Sequence, residues 1–230
     1  MSMDHTMADV GASHRGNRPA GLGRRSFLLG AASLGVLALA GCATGGMSFA
    51  EAERVYGPLP NERFPVPAVN VAKLNPKFYR RTVDYASTEA PGTIIIDPRA
   101  HYVYRIETAG TATRYGASVG RAGFLWSGDA YIGRKAEWPI WTPPKEMIAR
   151  QPEAAQYAGG MAPGIDNPLG ARTLYLYQNG VYTLYTIYST RVPESIGNGV
   201  SSGCIGLLTQ DMMDLYEKTP VNTKVIVLKA

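Results

Sequence analysis

Cysteine and histidine are scarce in this sequence. Its 230 residues include two cysteines and three histidines, His5, His14 and His101. So few cysteines exclude a disulfide-stapled scaffold, and no cluster of His, Cys and Asp has the spacing of metal ligands. A Gly-rich phosphate loop ending in Lys-Ser/Thr is absent as well. The sequence therefore predicts no metal site and no cofactor.

Long hydrophobic runs are also missing. The apolar stretch from Phe27 to Ala40 has about 14 residues, fewer than the ~20 that span a bilayer. It follows the pair Arg24-Arg25 and ends in small residues, which is typical of an export signal. Paired arginines favour the twin-arginine route. We therefore predict that residues 1–41 are a twin-arginine-type signal, after which the protein is periplasmic.

The signal ends in Leu39-Ala40-Gly41-Cys42, which resembles a bacterial lipobox. On this interpretation Cys42 is the lipidated first residue of the mature protein. Its acyl chains would contribute ~0.8 kcal/mol per buried CH₂ and hold the protein on a membrane. Ala43, rather than Asp, suggests the outer membrane by similarity to known lipoproteins. The alternative is a plain cleaved signal with an incidental cysteine.

The charge of the mature chain is close to neutral. Removal of residues 1–41 takes away four arginines and two aspartates and lowers the formal charge from +5 to +3. No basic cluster or stacked aromatic run accompanies this small surplus, so nucleic acid is not an expected partner. A weakly basic surface is compatible with an acidic polymer or an anionic membrane, although it selects neither.

Residues 42–90 are rich in proline and scattered charges, which indicates a tether followed by an irregular N-terminal extension. The extension has enough apolar residues to pack against a folded domain rather than remain disordered. We expect six residues to anchor it: Val66, Val69, Val71, Leu74, Phe78 and Tyr79.

From residue 91 onward the pattern changes to short alternating runs bounded by turn residues, which predicts β-strands. Asn179-Gly180 is a strong hairpin signal. Two short helices are predicted, at 145–151 and between 207 and 219, with Thr209 as the N-cap of the second. The segment 124–141 is expected to contain another hairpin. The predicted strands are 93–96, 101–107, 114–119, 173–177, 182–188 and 223–228. Residues 91–230 are thus predicted to form a mainly antiparallel β domain.

Cys204 lies in the stretch Gly199–Leu207 and is the single cysteine of the predicted domain. One interpretation is a nucleophile, whose pKa is lowered by the following helix or by a cation such as Arg172 or Arg191. The other is a small buried residue that happens to be cysteine. Glycines at 203 and 206 would let a substrate approach the backbone closely.

Motifs along residues 91–229 resemble, in order, the L,D-transpeptidase catalytic domain (YkuD) family. The resemblance implies a YkuD-like antiparallel β-sandwich with short helices. It rests on Pro91–Pro98, Arg114–Gly116, Gly120–Phe124, Lys135–Pro144, Asn167–Arg172, Glu194–Gly197 and Ser201–Cys204.

The resemblance implies a reaction on peptidoglycan stem peptides. Cys204 would attack the carbonyl that precedes the terminal D-Ala of a tetrapeptide stem, release D-Ala and form a thioester. An amine of a second stem or of an outer-membrane or other envelope protein would then accept the acyl group. Gly203 and neighbouring backbone N–H groups would form the oxyanion site. Arg172, Ser189 and Ser202 are the candidate substrate-binding residues.

The sequence departs from the family around this cysteine. Tyr188 stands where the family has its base histidine, and Thr186, Gly206 and Thr209 replace the usual Arg, Arg and Asn. A phenol with a pKa of ~10 is a poor resting base. His101 is a remote substitute, and a partly exposed strand residue is its simpler interpretation. The departures leave two functions open, an active acyltransferase and an impaired member that binds peptidoglycan or an envelope partner. A redox thiol is disfavoured because no resolving cysteine is present.

Overall fold

The computed structural model describes residues 46–108, 110–120, 126–201 and 204–230, all within one compact unit, Cys42–Ala230. The predicted signal, Cys42, Ser202 and Gly203 lie outside the described residues. The helices of the described part are α1 (Phe49–Val55), α2 (Lys145–Arg150) and α3 (Thr209–Glu217). Its strands are β1 (Arg81–Asp84), β2 (Ile94–Asp97), β3 (Tyr102–Ile106), β4 (Thr111–Gly120), β5 (Gly128–Glu137), β6 (Arg172–Gln178), β7 (Val181–Ser189), β8 (Gly199–Ser201), β9 (Ile205–Leu207) and β10 (Lys224–Val227).

The strands form one sheet that closes on itself. Its order is β1-β4-β3-β2-β10-β5-β6-β7-β9, and β9 also pairs with β4. Most neighbours are antiparallel, whereas β2–β10, β7–β9 and β4–β8 are parallel. The predicted mainly β class with short helices is confirmed. Because the sheet closes, β9, the strand that follows Cys204, pairs with β7 on one side and with β4 on the other.

Alternating apolar residues explain why the sheet closes around a core. Strands β2, β4, β6 and β7 each contribute fully buried side chains to one cluster, among them Ile94, Tyr115, Leu174 and Ile187. Helix α3 adds Met212 and Leu215 to the same cluster, which fixes α3 against the sheet. Burial of each aliphatic side chain contributes about 1.5–3 kcal/mol, so this cluster stabilises the domain.

The predicted turn between β6 and β7 is confirmed. Asn179 and Gly180 both have positive φ, 50° and 79°. Two successive residues of this kind define the type I′ turn, whose twist matches that of the flanking strands. The turn sets the start of the β6–β7 register, on which the position of Tyr188 depends.

Some local predictions were wrong. The described part of the segment predicted to form a hairpin, residues 126–141, contains one long strand, β5, which pairs with β6 and β10. The N-cap of α3 is Leu208, and Thr209 is the first helical residue. Strands β1, β8 and β9 were not predicted: β8 and β9 have three residues each, too few to show a period, and β1 (Arg81–Asp84) lacks the run of apolar β-branched residues that marks β2 and β10.

The N-terminal extension packs tightly on the domain, as predicted. Of its six expected anchors, five are buried and Val69 is partly buried against them. Phe78 fills the space above Gly116 and Gly197. A Cβ on Gly116, for example, would lie 2.7 Å from the Phe78 Cβ. The Tyr56 hydroxyl donates to the buried carboxylate of Asp211 in α3, at 3.3 Å. The extension is therefore part of the folded unit.

Within the described ranges, no helix has both the length and the apolar character needed to cross a bilayer.

Candidate active site

Cys204 immediately precedes β9, and the residue is partly buried. Strand β9 separates it from α3, which begins five residues later at Thr209. Extended chain advances ~3.3 Å per residue, so the helix terminus lies up to roughly 15 Å away along the chain. The field of a helix terminus fades within a turn, so α3 gives Cys204 little of the electrostatic help expected from the sequence.

A bulge in β7 brings a carbonyl group to the thiol. Residues 183–185 stand opposite the single residue Leu176, because the β6–β7 register shifts there. Leu184, at the centre of the bulge, is exposed and has a φ of 68°, which is unfavourable for leucine. The Cys204 thiol donates to the Leu184 carbonyl oxygen at 3.8 Å. A residue with an unfavourable backbone conformation thus lies beside the candidate nucleophile, as is common at functional sites.

The resting state of Cys204 is the neutral thiol. Burial raises its pKa, and hydrogen bonds from the side chain and backbone of Thr186 only partly oppose the rise. The contact with the Leu184 carbonyl acts in the same direction as burial, because a carbonyl accepts a proton from S–H and repels a thiolate. The prediction that a neighbouring helix or arginine lowers this pKa was therefore wrong.

Tyr188 lies next to Cys204, on the same face of the sheet as Thr186. Burial and the charge of a Cys204 thiolate raise the pKa of the Tyr188 phenol to about 12, against a hydrogen bond with Ser118 and the charge of Arg191. The phenol is therefore protonated at neutral pH, and it can donate a proton or relay one. It cannot serve as a resting base.

Gly206 makes room for the Tyr188 side chain. The two residues are partners in the parallel β7–β9 pair. A Cβ at position 206 would lie 3.2 Å from the Tyr188 hydroxyl oxygen and 2.5 Å from Ser118 Oγ. Two departures from the family pattern, at 188 and 206, therefore meet in one place. The sequence showed both changes, but their contact depends on strand pairing that has no local signal.

His101 lies elsewhere. It precedes β3 in a turn with a φ of 60°. Burial and the nearby Lys77 charge lower its pKa, and Asp97 opposes them. These neighbours belong to the extension and to β2, not to the Cys204 loop. The structure thus favours the simpler interpretation of His101 as a partly buried residue at the start of a strand.

Arg172 and Ser189 lie together on the face of the sheet opposite Tyr188, because successive strand residues alternate in direction. The Ser189 hydroxyl accepts from the Arg172 backbone N–H at 3.1 Å. The Arg172 guanidinium is buried and forms two hydrogen bonds with the Glu62 carboxylate, at 2.9 and 3.0 Å. Their substrate-binding role stays a prediction. The geometry gives Arg172 a partner in the extension instead.

Two openings flank the site. A groove of about 250 Å³ includes Tyr182, whose pKa is raised by burial and by the charge of a Cys204 thiolate. Its other lining residues are Trp126, Gln178, Val181, Thr183 and Tyr185. A cavity of about 240 Å³ lies between the extension and residues 189–191 and is not lined by Cys204. Cys204 is not among the lining residues of the groove either, and Tyr182, on which the charge of a Cys204 thiolate acts, links the groove to the site.

The described side chains offer a thiol on a partly buried residue, a protonated phenol near it and an aromatic groove. Among these residues, no group of three or more His, Cys, Asp or Glu side chains has the arrangement needed to hold a metal ion. The arrangement can support nucleophilic attack by sulfur with transfer of a proton through a hydroxyl group. Sequence reasoning missed Ser118 and Leu184, which have no motif to mark them.

The family model and the similar curated sequences point to the same family. The family model of the L,D-transpeptidase catalytic domain (YkuD) matches residues 91–227. A putative L,D-transpeptidase of Fuscovulum blasticum is 38% identical over 97 residues, which cover 42% of this chain and 47% of that protein. The probable L,D-transpeptidase YbiS of Escherichia coli K12 is 38% identical over 95 residues, which cover 41% of this chain and 29% of that protein. The matched part thus spans less than half of either relative.

A solved structure from Brucella melitensis, named a probable carnitine operon oxidoreductase caia, is 42% identical in sequence. The match covers 69% of this chain and 99% of that one, with a TM-score of 0.47.

Proposed function

The chain belongs to the L,D-transpeptidase catalytic domain (YkuD) family, and from this premise we propose that it is a cysteine acyltransferase acting on peptidoglycan tetrapeptide stems. The observation that carries the proposal is the placement, in the matched region, of the Cys204 thiol near the Tyr188 hydroxyl, close enough for a thiolate to raise the phenol pKa. The groove lined by Trp126, Tyr182 and Tyr185 provides an aromatic surface on which a stem peptide can lie.

The reaction starts from two neutral groups, since the pKa values of Cys204 and Tyr188 are both raised. Cys204 Sγ attacks the carbonyl carbon that precedes the terminal D-Ala. As the S–C bond forms and the C–N bond breaks, the thiol proton passes to the Tyr188 oxygen and the phenol proton passes to the leaving nitrogen. D-Ala departs as an amine, and the stem remains as a thioester. Tyr188 ends as it began, so no ionised phenolate is needed.

The acceptor amine reverses these steps. Its nitrogen attacks the thioester, its proton passes through Tyr188 to sulfur, and the new amide leaves with Cys204 restored. The acceptor is an amine of a second stem or of an envelope protein. Gly203 stays the predicted source of an oxyanion N–H.

The proposed place of action is the periplasm, with Cys42 lipidated and the protein held on a membrane, the outer one by preference. Labelling of cells with a fatty-acid probe, followed by membrane fractionation, tests this location. The Cys42→Ser variant should lose both the label and the membrane association. Retention of both would contradict the anchor without bearing on the acyltransferase.

A D-Ala release assay tests the reaction. The purified protein is incubated with tetrapeptide muropeptides, and D-Ala is quantified over time. Cys204→Ser should release none. Tyr188→Phe keeps the ring and removes the hydroxyl, so it should lower kcat by ~10²–10⁴, the usual contribution of proton transfer. Equal rates for Tyr188→Phe and the parent protein would exclude the relay.

A second candidate function is an impaired family member that binds stems without turnover. The high pKa of Tyr188, about 12, favours it, because the position lacks a resting base. Tyr188→His separates the two. If the parent releases no D-Ala but binds muropeptides, and Tyr188→His gains turnover, the chain has lost its base and the binding function stands. If the parent turns over and Tyr188→His gives no gain, the acyltransferase stands.

A further inference from the structure

Ser118 is a buried polar residue near the C-terminal end of β4, with 1% of its surface exposed. It faces Gly206 across the antiparallel β4–β9 pair, while Tyr188 faces the same glycine across the parallel β7–β9 pair. The hydroxyls of Ser118 and Tyr188 therefore lean over β9 from opposite sides. They meet above the one residue there that has no side chain.

The space above Gly206 shows how close the two hydroxyls lie. A Cβ on Gly206 would be 2.5 Å from Ser118 Oγ and 3.2 Å from the Tyr188 oxygen. Both oxygens thus border the volume that a side chain at 206 would fill, and Ser118 acts on the phenol, because it lowers the pKa of Tyr188 against the larger effect of burial. Glycine at 206 is a condition for this contact.

The alternative partner of Ser118 is a weak one. Its hydroxyl lies 3.4 Å from the Gly206 carbonyl oxygen, well beyond the usual 2.5–3.0 Å for an O–H···O bond. A hydroxyl carries a single proton, and a buried one that lacks a good partner costs stability. The Tyr188 oxygen is therefore the better acceptor for the Ser118 proton. With that bond made, the Tyr188 proton points away from Ser118 and is available to the relay.

We propose that Ser118 is a positioning residue, whose hydroxyl holds the Tyr188 hydroxyl in place beside Cys204 for the proton relay. The inference deepens the proposed function, because it assigns to Ser118 the orientation of the proton relay. Its core, a coupling from Ser118 through Tyr188 to the thiol, does not require that the protein turn over a stem peptide. Ser118, Tyr188 and Gly206 form one unit in which each residue needs the other two.

The test compares Ser118→Ala, Tyr188→Phe and the double variant. The first readout is the pH dependence of Cys204 alkylation by iodoacetamide, followed by mass spectrometry of the Cys204 peptide. The second is kcat and KM for D-Ala release. Thr219→Val is the matched control, because it removes another buried hydroxyl, one that donates to the Leu215 carbonyl at the far end of α3. Thermal melting checks that each variant folds.

We expect Ser118→Ala to lower kcat about tenfold with little change in KM, the effect of one lost orienting hydrogen bond. It should also move the alkylation midpoint in the same direction as Tyr188→Phe. The double variant should match Tyr188→Phe alone in both readouts, because Ser118 acts only through that hydroxyl. Thr219→Val should leave both readouts unchanged.

Additive effects in the double variant would overturn the inference, as would a Ser118→Ala profile identical to that of the parent. If Ser118→Ala does not fold, Ser118→Thr replaces it. Because threonine keeps the hydroxyl, we expect the alkylation profile and kcat of Ser118→Thr to match those of the parent. Addition of Tyr188→Phe to Ser118→Thr should then change both readouts as it does in the parent. If the parent releases no D-Ala but the alkylation coupling holds, the positioning role of Ser118 stands and the proposed reaction fails. If the parent releases D-Ala but the alkylation coupling is absent, the proposed reaction stands and the positioning role of Ser118 fails.

Discussion

Glu62→Ala should destabilise the protein strongly, although Glu62 lies in the extension, outside the region that matches the family. Its carboxylate forms two hydrogen bonds with Arg172 and accepts a third from the Trp138 indole N–H at 2.9 Å. Arg172 has 5% of its surface exposed, so removal of Glu62 leaves a buried guanidinium without its main partner. The nearest remaining carboxylate, on Glu137, is 3.7 Å away and largely exposed.

The magnitude follows from this geometry. Loss of one partner of a buried ion pair costs ~3–5 kcal/mol, and the lower end applies because Glu62 is partly accessible to water. A loss of about 3 kcal/mol in a domain of this size lowers Tm by roughly 6–12 °C. Glu62→Gln keeps an acceptor for Trp138 and should lose less. Glu53→Ala, an exposed position in α1, is the control and should change stability by no more than ~0.5 kcal/mol.

The pH dependence gives a second check. Burial raises the pKa of Glu62, but hydrogen bonds from Arg172 and Trp138 outweigh it, so the net pKa is lowered. The unfolded state then binds the proton more readily. The contribution of ionised Glu62 to the free energy of unfolding is therefore present above its pKa of ~4.3 in the unfolded chain. It is lost as pH falls through the lower pKa that Glu62 has in the folded protein. Thermal unfolding followed by circular dichroism from pH 3 to 8 measures it. A Tm within 2 °C of the parent for Glu62→Ala would refute the reasoning.

Three further outcomes are expected. Gly206→Ala should displace Ser118 Oγ and the Tyr188 hydroxyl and lower D-Ala release at least as much as Tyr188→Phe, measured in folded protein; an unchanged rate would contradict the packing. The pKa of Asp211 is raised to about 7 by burial, against the Arg80 charge and the Tyr56 hydrogen bond, so its contribution to stability is full below the unfolded pKa of ~3.9 and lost as pH rises through about 7. In urea titrations, the parent should thus lose stability relative to Asp211→Asn as pH rises from ~3.9 to about 7. A stability difference between the two proteins that does not change with pH would contradict the raised pKa. Leu184→Asn should raise Tm slightly, because asparagine tolerates a φ of 68° better than leucine.

Much of the fold could be predicted because its strands are long enough to show a period. Strands β6 and β7 flank a turn whose residues specify it, and the extension has apolar anchors that the domain buries. The closure of the sheet through β4–β9 could not be predicted. Strand β9 has three residues, and its place is set by pairing with β7 and β4 rather than by its own pattern.

The candidate site likewise has features that the sequence could predict and features that it could not. Cys204 and Tyr188 carry chemistry in their residue types, so the sequence marked both. The state of the thiol could not be predicted, because burial and the Leu184 carbonyl depend on the bulge in β7. Arg172 was expected near the substrate. No local signal shows that its partner is Glu62, 110 residues earlier in the chain.

The central claim is that Cys204 forms a covalent acyl intermediate with a stem peptide. Intact-protein mass spectrometry after incubation with a tetrapeptide stem, followed by peptide mapping, measures this directly. The account predicts a mass increase equal to the stem without its terminal D-Ala, located on Cys204 and removed by hydroxylamine. Folded parent protein that binds the stem but never gains this mass would contradict it.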